Sequence, residues 1–174
     1  MILRCDLHLN GGHRKLILSP HADETVDHLA LKLSAFLLLW GEEPQVDPSA
    51  KHPALLGQEF RPDLLALNER GEARLWIECG KVSLNKLSKV SRRFPYAQII
   101  VVKESPEDGR RLRRDLAQES LRRTVDIWTW PAEAFREWRN ALGERIEVFG
   151  ESGVRSLNLV INETPIAVDL QVVE

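Results

Sequence analysis

Residues 61–81, RPDLLALNERGEARLWIECGK, hold the side chains best suited to chemistry. Asp63 opens one apolar run and Glu78 closes another, with the polar turn NERGE between them. If 63–67 and 73–79 pair as an antiparallel hairpin, both carboxylates come to the same end of a sheet. In the second run Arg74, Trp76, Glu78 and Gly80 share one face, and Leu75, Ile77 and Cys79 the other. Two neighbouring carboxylates are the hard oxygen ligands that Mg²⁺ takes, and an ion held there lowers the pKa of its water and stabilises charge on a phosphate. A nearby lysine would orient the attacking water or neutralise developing charge. Lys81, three residues on, is one candidate; Lys86 and Lys89 on the next element are others, and Arg93 completes a basic stripe at helical spacing. On spacing alone the plainer account is solvated strand ends and ion pairs of small energetic weight.

The elements that must position these groups can be read from periodicity. ILRCDLHL (2–9) alternates as a half-buried strand does, Gly11-Gly12 signals a turn, and a second strand is expected near 14–18. His8 and His13 flank that turn as surface residues with no assigned role. HADETVDHLALKLSAFLLLW reads as one helix, N-capped by Asp23 and ended by Gly41. Its core face is Val26, Leu29, Ala30, Leu33, Phe36, Leu37 and Trp40, which places Glu24 on the opposite side of the helical wheel. The next stretch, from Gly41 to Arg61, carries three prolines between 44 and 53 and little periodicity. Long loops of this kind in compact domains tend to be functional or mobile.

After the hairpin, Ser83 caps a helix over LNKLSKVSRRF, AQIIVVK is a strand covered on both faces, and Pro106 opens a helix over about 106–122. Strand VDIWTW, helix PAEAFREWRNAL and a C-terminal meander (RIEVFG, VRSLNLVIN, IAVDLQVV) follow. Trp128, Trp130 and Trp138 sit where core residues sit, not where bases would stack. The order requires an α/β (α+β) architecture: a mixed central sheet flanked by helices, with an antiparallel patch from the terminal strands.

Composition narrows the class. A chain of 174 residues, 43% hydrophobic and 29% charged, is expected to fold as a single domain over 1–174. No run is long enough to span a bilayer and no signal-peptide layout is present, so a cytoplasmic protein with no membrane partner is expected. Cys5 and Cys79 lie in apolar runs as small buried hydrophobes, without the spacing of a zinc site or redox pair. A net charge of −2 gives no global case for nucleic acid. Locally, Lys86, Lys89, Arg92, Arg93, Arg110, Arg111, Arg113, Arg114, Arg122 and Arg123 make 81–123 basic, which suits either solvated helix faces or a polyanion.

Pro62-Asp63, then a strand ending in Glu78 with a lysine soon after, resembles the PD-(D/E)XK nuclease motif. More narrowly, HADETVDHLALKLSAFLLLW followed by PDLLALNERGEARLWIECG resembles the bacterial YaeQ family, in its H-x-x-E-T helix start and W-I-E-x-G strand end. The resemblance runs loosely from residue 3 to the C-terminal strands. It implies a restriction-endonuclease-like core, Asp63 and Glu78 as metal ligands, and Glu24 as a supplementary acidic ligand. The implied cofactor is Mg²⁺, with Mn²⁺ as substitute. The sequence departs from the nuclease pattern at the lysine, two residues after the glutamate, where it has Gly80. Either a bulge at Gly80 turns Lys81 inward, or Lys86 or Lys89 supplies the amine, or the site is degenerate.

Two functions follow. One is a Mg²⁺-dependent nuclease using Asp63, Glu78, Lys81 and Lys86, with Lys86, Lys89 and Arg93 tracking DNA or RNA. The other is an inactive nuclease-fold module that binds nucleic acid or a protein partner.

Overall fold

The computed structural model describes residues 1–121 and 125–174. Within them the chain order is β1 (Leu3–Leu9), β2 (Gly12–Leu18), α1 (Val26–Leu38), β3 (Gln45–Val46), β4 (Leu64–Leu67), β5 (Ala73–Cys79), α2 (Leu84–Arg93), β6 (Gln98–Lys103), α3 (Pro106–Gln118), β7 (Val125–Thr129), α4 (Ala132–Ala141), β8 (Arg145–Gly153), β9 (Ser156–Ile161), β10 (Thr164–Asp169) and β11 (Gln171–Val173). Arg122 and Arg123, with the expected end of α3 at 122, lie outside the described residues. No helix is long and apolar enough to cross a membrane.

The strands form two mixed sheets, ordered β10-β9-β8-β1-β2 and β11-β7-β6-β5-β4-β3. In the larger sheet β5, β6 and β7 run parallel, and β4 pairs antiparallel with β5. The hairpin's connection is set by Asn68, whose Oδ1 accepts from the backbone N–H groups of Arg70 and Glu72 at 2.9 Å. Gly71, at φ +77°, supplies the left-handed residue there.

The terminal strands depart from expectation in two ways. They do not make a purely antiparallel patch, because β1 lies between β2 and β8 and pairs parallel with β8. The chain between them crosses the whole larger sheet, so the edge of β1 is met from the same direction. The C-terminal meander also divides: β11 leaves β10 and pairs with β7 of the larger sheet. Alternation along a strand reports which face is buried, not which neighbour it takes.

Side-chain faces stack these parts in layers. Leu75, Ile77 and Cys79 join α1, α4 and the five-stranded sheet in one apolar cluster. Trp76 joins Leu65, Ile99, Val101 and Ile127 under α2 and α3 in the other. Helix α1 therefore lies between two sheets. Every residue from Leu29 to Trp40 is buried, not only the stripe that periodicity marks. Two polar groups in that run are paid with hydrogen bonds: Ser34 Oγ accepts from Trp130 Nε1 at 3.2 Å, and Lys32 is treated below. Trp138 Nε1 donates to the Ala30 carbonyl at 2.9 Å, so both tryptophans are core and both anchor α1.

On the far face, α3 approaches the sheet at Gly109. A Cβ there would lie 2.3 Å from Thr129 Cγ2 and 3.0 Å from Val173 Cγ2. Alanine would gain about 1 kcal/mol of helix propensity, but overpacking costs about 1–3 kcal/mol. Gly109→Ala is expected to lower the urea midpoint; a raised midpoint would mean that α3 can lift from the sheet at little cost.

Candidate functional site

The site forms where three chain segments meet at the start of β4. Helix α1 begins later than expected, at Val26. Its N-cap is Thr25, whose Oγ1 accepts from the His28 N–H at 3.1 Å, in place of Asp23. Glu24 thus precedes the first helical residue and is not bound by the wheel that placed it outward. Its carboxylate folds back along the helix, where His28 Nδ1 lies 2.7 Å from Oε2 and Lys32 Nζ donates to the same oxygen at 2.5 Å.

The loop before β4 brings Asp47, which accepts from Lys32 Nζ at 2.7 Å and whose N–H donates to the Asp63 carbonyl at 2.8 Å. Asp63 comes from the strand end, one step beyond the Leu64–Ile77 pair and so opposite Glu78. Its Oδ2 accepts from the Cys79 N–H at 2.7 Å and lies 3.2 Å from His28 Nε2, while Oδ1 is 3.9 Å from Lys32 Nζ. Lys32, fully buried, is therefore ringed by Glu24, Asp47 and Asp63. With His21, Pro48, Phe60 and Arg61 these carboxylates line a cavity of about 310 Å³.

Charge follows from the packing. Burial opposes ionisation of Asp63, but the His28 hydrogen bond and charge, the Cys79 N–H and Lys32 outweigh it and hold the carboxyl below its usual range. Burial likewise opposes the charge on His28, and Asp63 and Glu24 overcome it, raising its pKa. Both ring nitrogens face carboxylates, as an imidazolium's two donors require. Burial of Lys32 is overcome in the same way by Asp47 and Glu24.

Glu78 belongs to the other face of the sheet. Its side chain is 4% exposed and bonded to Trp76 Nε1 (2.7 Å) and Lys86 Nζ (2.9 Å). Burial pushes its pKa up to about 7; Lys86 pulls it down, while the Asp63 charge adds to the rise. Lys86 is held above Glu78 by a further bond to the Arg61 carbonyl at 2.8 Å. It stands in the first turn of α2 because Ser83 caps that helix, accepting from the Lys86 N–H at 3.0 Å.

The sequence candidates thus separate. Asp63 and Glu78 lie at one strand end, Glu24 joins Asp63, and Lys86 reaches Glu78. Lys81 does not enter this group. Strand β5 ends at Cys79, Gly80 takes φ +75°, and Lys81 lines a different cavity of about 540 Å³ with Lys103, Arg111 and Asp108. Lys89 pairs with Glu59 at 3.0 Å, and Arg93 donates to Gln58 at 3.3 Å, both at the surface. His28, Lys32 and Asp47 carried no assigned role in the sequence. The signal for Lys32 was its spacing: it falls between Leu31 and Leu33 in a helix too apolar to leave it a wet face.

A family model, "YaeQ protein", matches residues 6–153, most of the chain. The chain belongs to the YaeQ family. Among solved structures, YaeQ protein from Xanthomonas axonopodis pv. citri is 17% identical, with 98% of this chain and 96% of that one covered and a TM-score of 0.74. YaeQ protein from Pseudomonas syringae is 16% identical, with 99% and 95% covered and a TM-score of 0.75. No curated protein matches the chain. At these identities the two structures establish that the YaeQ fold is shared and leave the site to be argued from its own residues.

Two outcomes follow from the charges. Because the native Glu78 pKa exceeds its unfolded value, the folded state loses stability as pH rises from the unfolded carboxyl range to about 7. Thermal melts across that window are expected to be flatter for Glu78→Gln than for wild type; parallel curves would mean that Glu78 is charged throughout. Lys32→Met would strand buried carboxylates, at a cost of about 3–5 kcal/mol. Urea denaturation at neutral pH checks this, and a loss below 1 kcal/mol would mean that water already reaches the group.

Proposed function

We propose that the chain is a divalent-metal-dependent phosphodiesterase acting on DNA or RNA in the cytoplasm, on a restriction-endonuclease-like core. The observation that carries this reading is the convergence of Glu24, Asp63 and Glu78 on one strand end with a lysine already bonded to Glu78. The donor set fits a hard cation. Glu24 Oε1 is buried with no hydrogen-bond partner among the described residues, and Asp63 Oδ1 has only the Lys32 ammonium at 3.9 Å.

Glu24 and Asp63 would hold Mg²⁺ or Mn²⁺ on the α1 side, and Glu78, on the other face of the sheet, would join them only by turning away from Lys86. When bound, the ion supplies Lewis acidity toward a phosphate and an acidified water. The chain's own residues do the rest. The ionised form of Asp63 is favoured, because burial is outweighed by the His28 hydrogen bond and charge and by the Cys79 N–H. Glu78, with proton affinity near neutrality, can take up a proton at its carboxylate. Lys86 Nζ stands beside it, 2.9 Å from Glu78 Oε1, in the role that Lys81 would otherwise fill. Lys89, Arg92 and Arg93 line one more surface cavity and suit a phosphate backbone once the weak Lys89–Glu59 and Arg93–Gln58 contacts are released.

A second reading, a non-catalytic module that binds nucleic acid or a protein, is favoured by one observation: Asp63, Glu24 and Glu78 each already touch an internal cation. The two are separated by assaying cleavage of single- and double-stranded DNA and RNA with Mg²⁺ and Mn²⁺. Wild type is expected to cut only with metal, Glu78→Ala to lose at least about 100-fold, on the scale of a lost charge-stabilising group, and Lys86→Ala to fall comparably. Salt-sensitive binding without cleavage, unchanged in Glu78→Ala, would decide for the module.

A further inference from the structure

A different group of side chains lies on the five-stranded sheet, on strands β1 and β2, which contribute no residue to the acidic cavity. His8 and His13 are direct cross-strand partners on β1 and β2, and Asp6 sits two residues before His8 on the same face. One ligand atom from each of Asp6, His8 and His13 lies within 4.8 Å of the others. His8 Nε2 is 3.6 Å from Asp6 Oδ2, and His13 Nε2 contacts Asp6 Oδ1. Both imidazoles thus turn the same nitrogen toward one carboxylate.

The scaffold holds them so. The rings stack with centroids 4.2 Å apart and planes 2° from parallel, and Phe149 of β8 stacks on His8 at 4.6 Å and 7°. The register is fixed by a two-residue turn, Asn10-Gly11, at φ 52° and 77°. Asn10 is in turn clamped to β8: its Nδ2 donates to Ser152 Oγ at 3.0 Å, and its Oδ1 accepts from the Ser152 N–H at 2.9 Å.

We propose that Asp6, His8 and His13 form a surface site for a borderline divalent transition cation of the Zn²⁺ class. Two imidazoles and one carboxylate suit such ions, whereas Mg²⁺ and Ca²⁺ prefer all-oxygen sets. Three protein ligands leave outer positions to water or to a group from outside. The site is independent of the proposed phosphodiesterase centre.

The test is titration of Zn²⁺ into chelator-treated protein in excess Mg²⁺, by competition with a chromophoric chelator. Histidine ¹⁵N spectra and thermal melts are recorded on the same samples. One equivalent is expected to bind, shifting the Nε2 signals of His8 and His13 but not those of His21, His28 or His52, and raising Tm. His8→Ala with His13→Ala should weaken binding at least about 10-fold and abolish the Tm rise. The exposure of both rings lets this variant keep the wild-type circular dichroism spectrum. Asp6→Asn, which retains both imidazoles, should weaken binding less. Absence of saturable Zn²⁺ binding in wild type overturns the proposal, and so does binding that survives the double variant.

Discussion

Lys32 puts an ammonium in the middle of a helix covered on both sides by sheets, and a charge in that position has to be met by carboxylates. Burying it alone would be prohibitive, so three segments are brought to it. The chain before α1 folds back to deliver Glu24, which requires the helix to start at Thr25. The proline-bearing loop delivers Asp47, in a left-handed conformation at φ 48°, and β4 delivers Asp63. The acidic strand end is thus a consequence of how α1 is buried. Carboxylates that compensate a buried cation are already desolvated and oriented, which is the preorganisation that an electrostatic site needs.

Asp63 and Glu78 stand opposite one another across the β4–β5 pair yet serve different layers. Asp63 turns toward α1 and finds His28 and a backbone donor; Glu78 turns toward α2, into an apolar layer with Trp76 and a single lysine. One environment depresses the carboxyl pKa and the other raises it to about 7. Two carboxyls with proton affinities driven apart can divide the roles of fixed anion and proton acceptor. Lys86 fits this division: it neutralises Glu78 from the helix side, where Gly80 leaves the strand without a cation.

Much of this was legible in the sequence where a local pattern carried it. The 63–79 hairpin, the Ser83 cap and Pro106 at the start of α3 follow from short-range rules, and the hairpin alone pointed to Asp63 and Glu78. What was not legible depends on contacts distant in sequence. Capping chemistry allowed Asp23 as well as Thr25, and only the packing of Glu24 onto Lys32 separates them. A wheel that starts two residues too early then takes in Glu24 and sends it outward. His28 drew no role because its partner, Asp63, is 35 positions away. The parallel β1–β8 pair escaped for the same reason, since strand alternation is blind to partner and direction.

The same blindness hid His8 and His13, which flank a turn and read as solvent-facing until the register pairs them. Once paired, ligand type separates the two acidic regions of the molecule. Oxygen donors on the larger sheet are screened by Lys32, His28 and Lys86, so a cation entering there must displace or outcompete internal ones and needs a high charge density to do so. The imidazoles on the smaller sheet are half-exposed and offer softer nitrogen donors, and an ion there would have to displace only the His13–Asp6 hydrogen bond. An ion's preference between the sites is then set by its ligand chemistry rather than by net charge.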